Sequence, residues 1–497
     1  MNAGRWSRPA VLLGLACAAY LALSCLTFLL PIFDVFDSLE YLSPYQPGGF
    51  NNRRLPLYPL LVHGLGQLLG DPSVAGKLIA KACVAGTGAL LVTLVSRMFG
   101  VFAAASGALV LGALPLTVML SSIVHPFPMY GLLLLLCAER LIHSVEAGRG
   151  HALGAAAAWA GLAALTRPEG FALIALVGLW QTVAFVKQRP VHRPSWIGGD
   201  LLMLLATAWF LMHPGYALQA ARVSGKFSLG QVLDYFFTYL RAYPFLLGWL
   251  PLPLALLGLW PRRDEGAPTM ARRAYAGITL YVLVSHLALL MTPSGWLSMY
   301  LYPTTVLLMG FVGVGLARLR RVRAGAWLAP AALVLSLVLA LSEALPALFE
   351  IPKMLGPYHT ACMFAAARAP KDAILVTADP RYARHWTGLR AVGYGRPLAR
   401  RGSLVVLEDT LLKKTGHDLE TEIEWLQSTR QAETLLDERG EFLPLIATSR
   451  CTLDHSLSYT PRIFDMRHTP QPSRAVVLRI PGTPKKRGSG SLENPQR

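Results

Sequence analysis

Residues 11–41 read VLLGLACAAYLALSCLTFLLPIFDVFDSLEY, an uncharged apolar run followed at once by three carboxylates. The run from Val11 to Pro31 matches the roughly 20 residues that a helix needs to cross a bilayer. Asp34, Asp37 and Glu40 then fall within seven residues at its end, with Tyr41 beside them. Comparable apolar stretches recur to about Phe349. Only 15% of the 497 residues are charged, against about 25% in soluble proteins, and the mean hydropathy is +0.44. The reading is a polytopic α-helical membrane protein with about eleven transmembrane helices and a small C-terminal α/β domain. The expected spans are 10–31, 73–96, 101–122, 126–142, 152–166, 170–186, 197–217, 240–260, 274–292, 300–318 and 326–346.

The first run resembles a signal peptide in having Arg5 and Arg8 ahead of it. Its core is long, no small-x-small site closes it, and Leu23-Ser24-Cys25 is a poor lipobox, so it reads as an uncleaved first helix. The net charge of +18 is distributed as a topology signal and not as a nucleic-acid surface. Basic residues gather in alternate loops: Arg5 and Arg8; Arg97; Arg140 and Arg149; Lys187, Arg189 and Arg193; Arg262, Arg263, Arg272 and Arg273; Arg318, Arg320, Arg321 and Arg323. The positive-inside rule places these loops and the N-terminus in the cytoplasm, and an odd number of crossings leaves the C-terminal domain extracytoplasmic. The outer side then collects 32–72, 122–126, the break at 167–169, 218–239 and 292–299, and the mildly amphipathic segment 218–239 suits the membrane surface.

From about Ile351 the charge content becomes ordinary and the apolar runs shorten. Residues 373–377, 404–407 and 475–480 read as buried strands, and 419–435 has helical spacing. The expected domains are a membrane domain over 1–350, an α/β domain over 351–480 and a disordered polar tail over 481–497. Cys17, Cys25, Cys83 and Cys137 read as small residues of apolar helices, while Cys362 and Cys451 fall where an oxidising compartment could pair them. His359 and His385 have no metal-ligand spacing around them, and His213 and His286 read as structural. No zinc motif, P-loop, dinucleotide fingerprint, nucleophile elbow or internal repeat is present.

The candidate chemistry lies on the outer side. A carboxylate of the first loop, Asp34, Asp37 or Glu40, can act as general base toward a hydroxyl or amine, or orient it. Arg53 and Arg54 present guanidinium forks that match phosphate oxygens. Equally, these charges fit a solvated loop anchored at lipid headgroups. Lys77 and Lys81, one helical turn apart, suit either snorkelling or an anionic lipid phosphate. In Thr166-Arg167-Pro168-Glu169-Gly170 the proline and glycine break a long apolar stretch. Arg167 and Glu169 either pair within a tight hairpin, or Arg167 faces the cavity as a further phosphate or sugar ligand. His125, ahead of Pro126 and Pro128, is either structural or catalytic.

Several of these pieces occur in a recognisable order. Asp-x-x-x-Tyr (Asp37 to Tyr41) precedes Arg-x-Pro-x-Tyr-Pro (Arg54 to Pro59). Gly70-Asp71-Pro72, Ser96-Arg97-Met98-Phe99-Gly100 and the Thr-Arg-Pro-Glu-Gly turn follow. Together they resemble the bacterial GT-C glycosyltransferases, those similar to protein O-mannosyltransferases and the lipid A aminoarabinose transferase, over most of 10–320. The soluble region, with Ala373 to Thr377 and Trp386 to Val392, resembles the outside domain that many such enzymes carry. The resemblance implies a sugar donor linked to a polyprenyl phosphate and an inverting transfer to a lipid, glycan or protein acceptor. It implies no certain cofactor, with a divalent metal possible but no metal site assigned. It maps the reaction centre to Asp37, with Asp34 as the alternative. Arg53, Arg54, Lys77, Lys81 and Arg167 would hold the donor phosphate, and Glu40, Tyr41, Tyr58, His125 and Glu169 would support them. The sequence departs from the family in offering His125 where relatives carry a second acid, and Met299-Tyr300-Leu301-Tyr302-Pro303 where they carry Arg-Tyr-x-x-Pro. The competing readings are a transporter or flippase of lipid-linked saccharide, which should show inverted repeats, and a non-catalytic envelope assembly protein, for which Asp37 would be dispensable.

Overall fold

The computed structural model describes residues 37–42, 55–147, 150–187, 193–212, 230, 247, 250–260, 269–290, 301–322, 325–370, 373–400, 402–413, 416–442 and 471–481. The expected span 10–31, the segment 218–239 apart from Gly230, and most of the expected tail lie outside them. Two compact units separate between Phe349 and Glu350.

The first unit is helical: α1 (Asp37–Leu42), α2 (Leu57–Leu69), α3 (Pro72–Phe99), α4 (Val101–Ala113), α5 (Pro115–Ser122), α6 (Phe127–Ala147), α7 (Gly150–Thr166), α8 (Gly170–Val186), α9 (Arg193–Met212), α10 (Pro251–Leu259), α11 (Met270–Leu290), α12 (Tyr302–Leu319) and the start of α13 (Gly325–Arg368). By length and composition α3, α6, α9 and α12 can each cross a membrane, and the α4–α5 pair can make a fifth crossing. Leu201, Leu204, Leu205 and Leu211 lie exposed along α9, as expected of a helix whose solvent is lipid.

Local chemistry sets the breaks. The stretch 32–72, expected as an outside loop, contains α1 and α2. Gly70 closes α2 in the left-handed conformation (φ 76°), and the Asp71 carboxylate accepts from the Ser73 and Val74 amides to open α3. The crossing expected over 101–122 is a pair of helices bent by 61°. Pro115 disfavours a helical conformation at the residue before it; Leu114 is extended (φ −60°, ψ 137°) and α5 restarts at the proline. At the far end of α12, Arg318 donates to the carbonyls of Leu257, Gly258 and Trp260 at 2.6, 3.0 and 2.6 Å. It thereby satisfies acceptors that the end of α10 leaves open.

Helix α12 is the centre of this unit, and its glycines explain how. A Cβ on Gly313 would lie 1.8 Å from the Ala103 carbonyl oxygen of α4, and one on Gly315 would lie 2.0 Å from the Leu254 oxygen of α10. Helix association in lipid depends on such close backbone approach, because no hydrophobic drive operates between helices there. Gly313→Leu is therefore expected to destabilise the unit by about 3 kcal/mol or more. The thermal midpoint of the detergent-solubilised protein checks this, with Gly277→Leu, where a Cβ meets open space, leaving it near wild type.

The second unit continues from α13 into a five-stranded sheet of order β2-β1-β3-β5-β4. Its strands are β1 (Ile374–Thr377), β2 (Arg390–Gly393), β3 (Leu404–Glu408), β4 (Glu433–Phe442) and β5 (Gln471–Arg479), with helices α14 (Pro380–Thr387), α15 (Asp409–Lys413) and α16 (Leu419–Arg430) between them. β1 pairs parallel with β2 and β3, and β5 pairs antiparallel with β3 and β4. Val376, Val405, Leu407, Leu426, Val476 and Leu478 form its core. The helix expected over 419–435 ends at Arg430, because Gln431 adopts the left-handed conformation (φ 55°) and the chain turns into β4. Cys362 is buried with a free thiol whose pKa burial pushes up to about 12; Cys451 lies outside the described residues.

In this unit Glu422 accepts from Tyr394 Oη at 2.6 Å and from Arg396 Nε and Nη2 at 3.0 and 3.2 Å, and lies 3.0 Å from His417 Nδ1. Burial pushes its carboxyl up, but the hydrogen bonds from Arg396, Tyr394 and His417 outweigh it and hold the group below 4.5. A carboxyl depressed on folding stabilises the fold above its unfolded value, and that contribution is lost as pH falls through the folded one. Hydrogen-exchange protection of 419–430, corrected for intrinsic rates, is expected to drop as the medium is acidified below pH 4.5. Glu422→Gln should lower protection at neutral pH and flatten that acid dependence.

Candidate active site

Helices α1 and α2, the start of α3, the start of α6 and the α7–α8 turn meet in one buried cluster. α1 packs on α2 and α3. A Cβ on Gly76 of α3 would sit 2.6 Å from Val124, so α3 presses against the extended link before α6. Tyr58 of α2 donates to the Gly76 carbonyl at 3.4 Å. Tyr41 meets Tyr58 edge to face at 5.4 Å and His125 edge to face at 5.8 Å. His125 stacks on Phe127, with centroids 4.9 Å apart and planes 12° apart. The Arg167 guanidinium lies 3.8 Å from the Phe127 ring centroid, a cation–π contact.

Arg167 and Glu169 are brought together as a pair. Arg167 Nε donates to Glu169 Oε2 at 3.0 Å and Nη2 to Oε1 at 2.7 Å, with each residue only 5% exposed. Gly170 makes the turn possible, since a Cβ there would lie 2.3 Å from the Ala164 nitrogen. The hairpin reading of Arg167-Pro168-Glu169 is thus the arrangement present, and two of Arg167's donors are committed to Glu169.

Lys81 is buried at 3% exposure, while Lys77, one turn earlier on α3, is half-buried. Asp37 and Glu40 lie on α1, and among its described side chains Ser38 and Tyr41 are buried. Asp34, Arg53 and Arg54 lie outside the described residues. Among the described residues no three His, Cys, Asp or Glu side chains are placed to hold a metal.

Sequence reasoning missed Phe127 and Tyr130 and set His286 aside. Tyr130 Oη lies 3.2 Å from His286 Nε2, while His286 Nδ1 lies 2.9 Å from the Val282 carbonyl. The carbonyl accepts only from a protonated Nδ1, so Nε2 receives the tyrosine proton. An aromatic side chain in an apolar helix has no composition signal to distinguish it, and His286 is 156 residues from its partner.

The architecture is a bundle of apolar helices, several of them long enough to cross a membrane. Its fold matches the crystal structure of ArnT from Cupriavidus metallidurans bound to undecaprenyl phosphate, with TM-score 0.60 and 13% identity, over 97% of this chain and 99% of that one. It also matches apo ArnT from the same organism, with TM-score 0.55 and 13% identity, over 84% and 95% of the two chains. No family model matches the sequence. No curated protein matches it in sequence.

Proposed function

We propose that the chain is an inverting glycosyltransferase that moves a sugar from a polyprenyl-phosphate-linked donor to a cell-envelope acceptor at the outer face of the cytoplasmic membrane. The observation that carries this reading is the near end-to-end fold match to a protein crystallised with undecaprenyl phosphate. The acidic first loop and the lysines of α3 add to it, because they supply the two kinds of group such a transfer needs.

In this reading the acceptor O–H or N–H attacks the anomeric carbon from the face opposite the phosphate. Asp37, or Asp34 beside it, takes the acceptor's proton, and the bond to the phosphate oxygen breaks. The lipid phosphate leaves as an anion, which Arg53, Arg54, Lys77 and Lys81 stabilise. Electrostatic stabilisation of the departing charge is where fixed cations contribute most. The N-terminus is cytoplasmic and the 351–480 domain extracytoplasmic. Purified protein supplied with polyprenyl-phosphate sugars in native membrane extract should consume donor. Donor binding without turnover across a broad sugar panel would instead support transport.

A further inference from the structure

Helix α1 has six residues. Isolated helices shorter than about 12 residues are marginal in water, so its position depends on what holds it from outside. Ser38 and Tyr41 are buried among its described side chains, and Asp37 lies one turn ahead of Tyr41. Tyr41 rests against His125 and Tyr58, His125 stacks on Phe127, and Phe127 carries the Arg167 guanidinium that Glu169 fixes. Tyr41, Tyr58, His125 and Phe127 are each at most 4% exposed. His125 and Phe127 lie where α5 has ended and α6 begins, so His125 has no helix of its own to fix it.

We infer that the Arg167–Glu169 pair is a positioning device for the Asp37 helix, acting through Phe127, His125 and Tyr41. A bidentate pair holds a guanidinium plane in one orientation. A flat cation held over Phe127 fixes the ring, and stacked and edge-to-face contacts pass that constraint to Tyr41. Arg167 and Glu169 are then positioning residues remote from the donor phosphate. The link to catalysis rests on the transferase reading; the link to α1 does not.

Phe127→Leu tests the inference, because it removes the stacking face while leaving the ion pair and the apolar volume largely in place. Hydrogen exchange is measured on the full chain in lipid nanodiscs. Protection of residues 37–42 is expected to fall roughly tenfold, the worth of an aromatic contact, with 302–319 unchanged and Phe127→Tyr near wild type. Unchanged protection at 37–42, or a uniform loss across all helices, would overturn the inference. In turnover, Phe127→Leu should lower kcat with donor KM and undecaprenyl phosphate binding held. A raised KM with kcat intact would return Arg167 to the phosphate and overturn the positioning role. If wild type turns over no donor, the transferase reading fails on its own while the exchange result still decides the positioning.

Discussion

Asp37→Asn is expected to lower donor turnover by about 10²–10⁴-fold, the usual loss when a positioned general base is removed. Asparagine keeps the size of the side chain and its place on α1 but cannot take the acceptor's proton. Binding of undecaprenyl phosphate should persist, since the leaving-group phosphate is held by cations and a neighbouring carboxylate opposes it. The measurement is donor consumption in native membrane extract beside a binding isotherm on the same preparation. Loss of turnover with binding intact identifies the base. Full turnover in Asp37→Asn together with its loss in Asp34→Asn would move the base three residues earlier. Full turnover in both would remove the first-loop carboxylates from the chemistry and sink the proposed mechanism.

The second large effect is expected at Lys81. Its ammonium is buried on α3, so an anion bound there faces a charge with little water around it. Truncating one partner of a buried charge pair costs about 2–5 kcal/mol, so Lys81→Gln should weaken undecaprenyl phosphate binding about 30-fold or more. Lys77, half-buried and one turn nearer the start of α3, should matter far less, because solvent screens a partly exposed charge and Lys77→Gln should cost at most a few-fold. Equal effects at the two positions would argue for general electrostatic attraction to the membrane surface and against a phosphate site at the depth of Lys81.

Much of the architecture is legible in single residues. The start expected for the 73–96 span lies beside the observed opening of α3 at Pro72, while α2, which Gly70 closes, falls in a stretch expected as loop. The apolar runs of α3, α6, α8 and α12 are visible because their length and composition are set by what surrounds them. β1, β3 and β5 were visible for the converse reason, as short apolar runs bounded by turns. β4 was not, because its sequence, ETLLDERGEF, is that of a charged edge strand whose identity comes from pairing with β5.

For the candidate site the division is sharper. Composition and order pointed to the first-loop acids, to Lys77 and Lys81 and to the Arg167–Glu169 turn, since charges in an apolar chain stand out individually. Nothing in the order of residues states that Arg167 covers Phe127, that Phe127 supports His125, or that His125 supports Tyr41. Those contacts join residues up to 84 positions apart through ring faces, and a ring face has no sequence period. The sequence by itself pointed to apolar stretches and to the charged groups available for chemistry, because each depends on local composition and on transfer between water and lipid. Only the tertiary structure decided which charges pair, which lysine is buried and which rings stand beneath the Asp37 helix, because these depend on packing between segments far apart in the chain.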